Sequence, residues 1–199
     1  MPLHRSHHLH LPFLRVDHNK ELRALYIMRV LRDLVNQSTF FFLPIFLYKS
    51  GISLFSHSQL NDFQSGLFLI AAYFFVVRFV MLLTGIGFGK YTARAGVKQA
   101  FIFSYLLRAL MFACLFFASN SLIMLLVAAV LDGLNASLFW SSYYTLLSQH
   151  ASKHNIGKDL GFIQTLLQAI SAIAPALGGA LAGYFGFDTL FLFALAATI

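Results

Sequence analysis

Six apolar stretches separated by short polar loops constrain this chain more than any other feature. A helix needs about 20 mainly apolar residues to cross about 30 Å of hydrocarbon at 1.5 Å per residue. A soluble helix of the same length would carry charge along its outer face. Here 11% of residues are charged and 59% are hydrophobic, and most charges fall between the apolar runs. The chain therefore reads as an all-α, polytopic membrane protein. The spans are expected at about 24–48, 65–88, 98–118, 121–147, 161–183 and 188–199, behind an N-terminal tail at 1–23. The last is cut short at Ile199. Such a bundle leaves no room for a soluble catalytic domain, and the tail lacks the apolar core of a signal peptide.

The net charge of +7 is placed asymmetrically. Arg5, Arg15, Lys20 and Arg23 precede the first span, Lys90, Arg94 and Lys98 surround the second turn, and Lys153 and Lys158 follow the fourth span. Only Lys49 lies on the other side. By the positive-inside rule the N-terminus and these loops face the cytoplasm of a cell membrane. The cations serve topology and contact with lipid headgroups rather than nucleic acid. Cys114 is the single cysteine, so neither an intrachain disulfide nor a multi-cysteine metal site is possible. The histidines at 4, 7, 8 and 10 read as a mobile polar tail, not a metal site, and no cofactor is expected.

Polar residues inside the spans carry the functional signal, because a charge in hydrocarbon costs a few kcal/mol on insertion scales, so about 2–4 kcal/mol each, unless paired or wetted. The first span holds Arg29, Arg32, Asp33, Asn36 and Gln37, with Arg29 and Asp33 four residues apart on one helical face. The fourth adds Asp132 and Asn135, and the fifth adds Gln164 and Gln168. Depth counting places Asp33 and Arg78 both about 14 Å from the inner interface. It also sets Arg108 level with Asp132 across the tight outer turn. Each of these pairs has two readings, structural neutralisation or a cavity.

The segment GKYTARAGVK at 89–98 resembles the cytoplasmic loop signature of the major facilitator superfamily, G-x-x-x-D-R-x-G-R-[KR]. Gly89, Arg94, Gly96 and Lys98 match, whereas Ala93 replaces the acid and Val97 an arginine. GKDLGF at 157–162 looks like the start of the family's fifth helix, and APALGG at 174–179 is similar to its G-P-x-x-G-G motif, with Pro175, Gly178 and Gly179 in place. Gly85 and Gly89, four apart, are expected to let a neighbouring helix approach, and Gly96 to permit a positive φ. Pro175 and its glycines read equally as a hinge or as tight packing.

The resemblance implies the N-terminal six-helix half of a transporter, with helices one and four at a central cavity, two and five beside it, and three and six outside. It implies secondary transport of a small solute by alternating access, with a weak leaning to efflux. The further partner would be a C-terminal six-helix half, in the same longer chain or as a dimer of halves. Arg29, Arg32, Asp33, Asn36, Gln37, Asp132, Asn135, Gln164 and Gln168 would line the cavity for substrate or coupling ion. The helix-four arginine of proton exchangers is replaced by Ala129, so Asp132 or Asp33 would have to carry any proton coupling. A non-transporting scaffold or sensor on the same fold is the alternative. An intramembrane enzyme is disfavoured by the lack of H-E-x-x-H, G-x-S-x-G or G-x-G-D motifs.

Overall fold

The computed structural model describes residues 20–56, 61–118, 121–150 and 156–198. These form seven helices: α1 (Lys20–Phe40), α2 (Leu43–Leu54), α3 (Asp62–Ala95), α4 (Val97–Phe116), α5 (Leu122–His150), α6 (Ile156–Phe185) and α7 (Phe187–Ala196). The histidine tail, Arg5, Arg15 and Lys153 lie outside the described residues. Four segments are long and apolar enough to cross a membrane: Asp62–Ala95, Val97–Phe116, Leu122–Gln149 and Ile163–Phe185.

The first expected span, 24–48, is two helices rather than one. Pro44 sits in the first turn of α2. Its missing N–H removes an α-helical hydrogen bond and its ring crowds the preceding turn. The chain turns at Phe41 and Phe42, and the Phe42 N–H donates to the Thr39 carbonyl at 3.1 Å instead. Proline is well tolerated once a new helix starts, so α2 runs on from the break.

Several helices outrun their apolar cores. The 34 residues of α3 extend about 50 Å at 1.5 Å per residue, well past the hydrocarbon. Its C-terminal end, KYTARA, is polar but made largely of good helix formers. Gly96 ends it with φ +88°, a region that side chains rarely enter, and α4 starts at the next residue.

The most extensive helix contacts are α3 with α5, α4 with α5, α1 with α6, α2 with α3, and α7 with α4 and α6, while α1 meets α5 and α7 over a shorter stretch. Small residues allow the closest of these approaches. A Cβ on Gly133 would stand 2.7 Å from the Val77 carbonyl oxygen of α3, and one on Gly178 would collide with the Ser38 carbonyl of α1. Gly85 and Gly89 do not play that part. A Cβ at Gly89 meets nothing within 4 Å, and one at Gly85 meets only Ser137 Oγ, at 3.9 Å. Their spacing is suitable, but Gly89 lies on a face of α3 with no described neighbour, and Gly85 meets α5 only at ordinary contact distance.

The outer surface is apolar. Leu82 and Ile86 of α3 are each 77% exposed, and Phe75, Leu83 and Ile123 are also open. These side chains suit lipid tails. The interior is apolar too, but set within it are Arg32, Asp33, Arg108, Asp132 and Asn135, all buried.

Candidate functional site

The buried polar residues converge where α1, α4 and α5 meet, and Asn135 is their hub. Its Oδ1 accepts from both terminal nitrogens of Arg32 at 3.4 Å. It also accepts from Ser104 Oγ of α4 at 3.0 Å. One side-chain oxygen thereby ties three helices together. Such charge-assisted bonds are stronger than neutral ones, and the low surrounding dielectric makes losing them costly.

Aromatic rings of α5 support the cations of α1. The Arg32 guanidinium lies 3.5 Å from the centroid of Phe139. Arg29 sits over Trp140 at 4.5 Å and beside Tyr143 at 5.6 Å. It also pairs with Asp33, one turn further along its own helix, at 3.3 Å. A cation over a ring face gains about 0.5–2 kcal/mol, more as water is excluded. Arg29, Arg32 and Asp33 thus look toward α5, where the aromatic run FWSSYY presents its rings.

Arg108 of α4 is 1% exposed. One nitrogen, Nη2, donates to the Arg32 carbonyl at 3.4 Å, while Nε and Nη1 have no protein partner. Asp132 is also buried and forms no ion pair or hydrogen bond among the described residues, although it stands within electrostatic reach of Arg32, Arg108 and Arg78.

The cavity residues expected from sequence fall into two sets. Arg29, Arg32, Asp33, Asp132 and Asn135 are drawn together where α1 meets α5: Arg29, Arg32, Asp33 and Asn135 touch one another or aromatic rings, Asp132 lies near them without a bond, and Arg32 also borders an open groove beside α4. Asn36 and Gln37 are half-buried, and Gln164 and Gln168 of α6 are exposed. Neither expected cross-helix ion pair forms. Asp33 turns to Arg29 within its own helix, and Arg78 is exposed, its one hydrogen-bond contact among the described residues being the Met81 sulfur at 3.9 Å. Equal depth brought the charges level, but helix rotation points Arg78 outward. Ser104, Phe139 and Tyr105, whose ring centroid lies 6.0 Å from the Arg32 guanidinium, are further members of the cluster that spacing in the sequence does not single out. Ser104 and Arg108, four apart in an otherwise apolar span, were the available signal for the α4 contribution.

Near the α3–α4 turn, Thr92 of α3 and Ser142 of α5 are buried with their hydroxyls 3.4 Å apart. Gly89, Arg94, Gly96 and Lys98 are exposed around the α3–α4 turn. In α6, Pro175 lies within the helix without ending it, Gly178 abuts Ser38, and Gly179 faces the Phe42 ring beside the α1–α2 break. The two glycines of this motif therefore bring α6 against the end of α1 and the Phe42 turn, at the point where the first span is discontinuous.

A family model, Major Facilitator Superfamily, matches residues 25–199. No solved structure matches the chain.

Proposed function

Because the chain belongs to the Major Facilitator Superfamily, and is therefore a multi-pass membrane transporter in contact with the lipid bilayer, we propose that it acts as a six-helix half in secondary transport. Alternating access moves a small solute through a cavity between this bundle and a second, C-terminal half. The N-terminus faces the cytoplasm of the cell membrane, a reading supported by the placement of the loop cations. The similarity of the α6 motif to that of exporters favours efflux.

The observation that carries this reading is the buried charge cluster. Three arginines and two aspartates occupy the α1, α4 and α5 contact in helices that otherwise suit hydrocarbon. Pure scaffolding is served at lower cost by apolar packing. A cluster whose bonds run between helices gives a rocking bundle discrete alternatives. Arg29 and Arg32 can exchange ring, Asn135 and carboxylate partners as α1 moves along α5. Asn36, Gln37, Gln164 and Gln168 offer neutral hydrogen-bonding groups at the more open surface, where a polar solute or coupling ion would be received. Asp33 and Arg32 are the closest charged groups behind them on α1.

The scaffold or sensor reading is favoured by one observation. Ala93 stands where the loop signature has an acid, and Arg94 makes no ion pair or hydrogen bond among the described residues. To separate the two, solutes that raise the melting temperature of the full-length protein are identified first. Single cysteines at Asn36 or Gln168, in a Cys114→Ala background, are then labelled with an impermeant maleimide. A transporter changes labelling rate several-fold when such a solute is added. Rates that stay constant with every stabilising solute refute alternating access at this site.

A further inference from the structure

Arg78 stands at the midpoint of α3 (Asp62–Ala95), exposed, on a face made otherwise of Phe75, Phe79, Leu82 and Ile86. The rings of Phe75 and Phe79 stack there with centroids 5.9 Å apart. Counting along the span puts Arg78 about 14 Å from the inner interface. That is farther than an arginine side chain reaches to set its head among lipid phosphates. A guanidinium facing hydrocarbon at that depth is costly, and such residues are stable when protein covers them and pairs with them.

The described bundle does not supply that pairing. Nη1 of Arg78 meets a sulfur, Met81 Sδ, at 3.9 Å. Asp132 of α5 lies within electrostatic reach, but it is buried inside the bundle, forms no ion pair with Arg78, and is shared with Arg32 and Arg108. Asp33 is taken by Arg29. A second copy of the bundle does not supply it either, because the chain has only seven acids. Asp33 and Asp132 are buried. Glu21, Asp62, Asp159 and Asp188 lie in the first turns of α1, α3, α6 and α7, and Asp17 precedes α1. No described surface of a copy therefore offers a carboxylate at mid-membrane, and two copies joined through α3 would set Arg78 against Arg78.

We infer that the Phe75–Leu82 face of α3 docks a transmembrane helix of the second, C-terminal half, and that this helix presents one carboxylate to Arg78. The inference rests on the reading of this bundle as one half of a transporter. The charge pair sets the depth at which the two halves meet, and Phe75, Phe79 and Leu82 supply the apolar contact around it. Helices that cross at about 50° part within about two turns, so the contact ends short of Gly89, where a Cβ meets nothing.

The test places the photo-crosslinker p-benzoylphenylalanine at Phe75 or Leu82 of the full-length protein in native membranes, and maps the adducts by mass spectrometry. Adducts are expected in one helix outside residues 1–199, with an Asp or Glu within a turn of the attachment point. Arg78→Glu is expected to lower their yield at least fivefold, and exchanging the mapped acid for arginine in the same protein to restore at least half of it. Where Arg78→Glu gives no folded protein, Arg78→Gln is read in its place, with a loss of at least threefold expected. Adducts with lipid alone, with residues 1–199 alone, or with a helix lacking an acid overturn the inference, as does a yield that these variants leave unchanged or a folded charge swap without recovery. Solute-dependent maleimide labelling at Asn36 or Gln168 reports on transport separately. If it persists while the adducts fall on lipid, the docking helix is lost and the transport reading stands; if the adducts map as expected while labelling never changes, the docking stands and alternating access is lost.

Discussion

At the scale of single residues, Asn135 illustrates how little chemistry is needed to join three helices. Its carbonyl oxygen receives Arg32 and Ser104 together. Asn135→Leu removes that acceptor and leaves a buried guanidinium without it, so a loss of about 3 kcal/mol is expected. Asn135→Asp keeps the acceptor and adds a countercharge for Arg32. Unfolding in mixed micelles should therefore rank wild type and Asn135→Asp well above Asn135→Leu. Equal stability of all three would mean that Arg32 takes its support from Phe139 alone. Part of this cluster was legible in the sequence. The four-residue step from Arg29 to Asp33 is a local relation, and the structure realises it as an ion pair. The partners Asn135 and Ser104 lie 103 and 72 residues from Arg32 along the chain. Which of many polar positions meet across that distance depends on helix rotation, and spacing within one helix does not encode it. Arg78 is the clearest case, level with the cluster by counting yet turned outward.

At the scale of elements, tight packing is concentrated at a few glycines. Gly178→Leu drives a side chain into the Ser38 backbone, so α6 and α1 must separate, at a cost of about 1–3 kcal/mol or more. Gly183→Leu and Gly89→Leu meet open space and should melt within about 0.5 kcal/mol of wild type, as surface substitutions do. A thermal-melt comparison of the three variants checks this directly. If Gly89→Leu proves as damaging as Gly178→Leu, the full-length protein places another helix on that face of α3. Gly96→Val, at φ +88°, is strained whatever the space, and should loosen the α3–α4 turn that Arg94 and Lys98 flank. The apolar runs revealed where helices lie because lipid imposes a minimum length. They did not reveal the α1–α2 break, since Pro44 is embedded in an apolar run whose hydropathy it barely alters. Nor did they reveal helix ends such as that of α3, where polar helix formers continue the backbone beyond the bilayer.

At the scale of the whole molecule, apolar side chains cover the surface and fill most of the core, with a charged contact set among them. Orientation comes from the cations. Nine of the ten loop and tail cations fall on one side in the sequence, which predicts a cytoplasmic N-terminus. Cysteines at Ser56 and Lys153, in a Cys114→Ala background, should react with an impermeant maleimide from opposite faces of the membrane. Reaction from the same face removes the proposed orientation.

The central claim is that the charged contact between α1 and α5 serves movement of solute rather than assembly alone. Asp33→Asn tests it most directly, because the amide keeps a hydrogen-bond acceptor for Arg29 while removing the charge. The measurement is solute uptake in proteoliposomes by the full-length protein, alongside the yield and melting temperature of the same preparation, with a solute found by thermal shift. The expected result is normal yield and melting with transport reduced at least a hundredfold. Uptake at the wild-type rate, or loss of folded protein in place of transport, would contradict it.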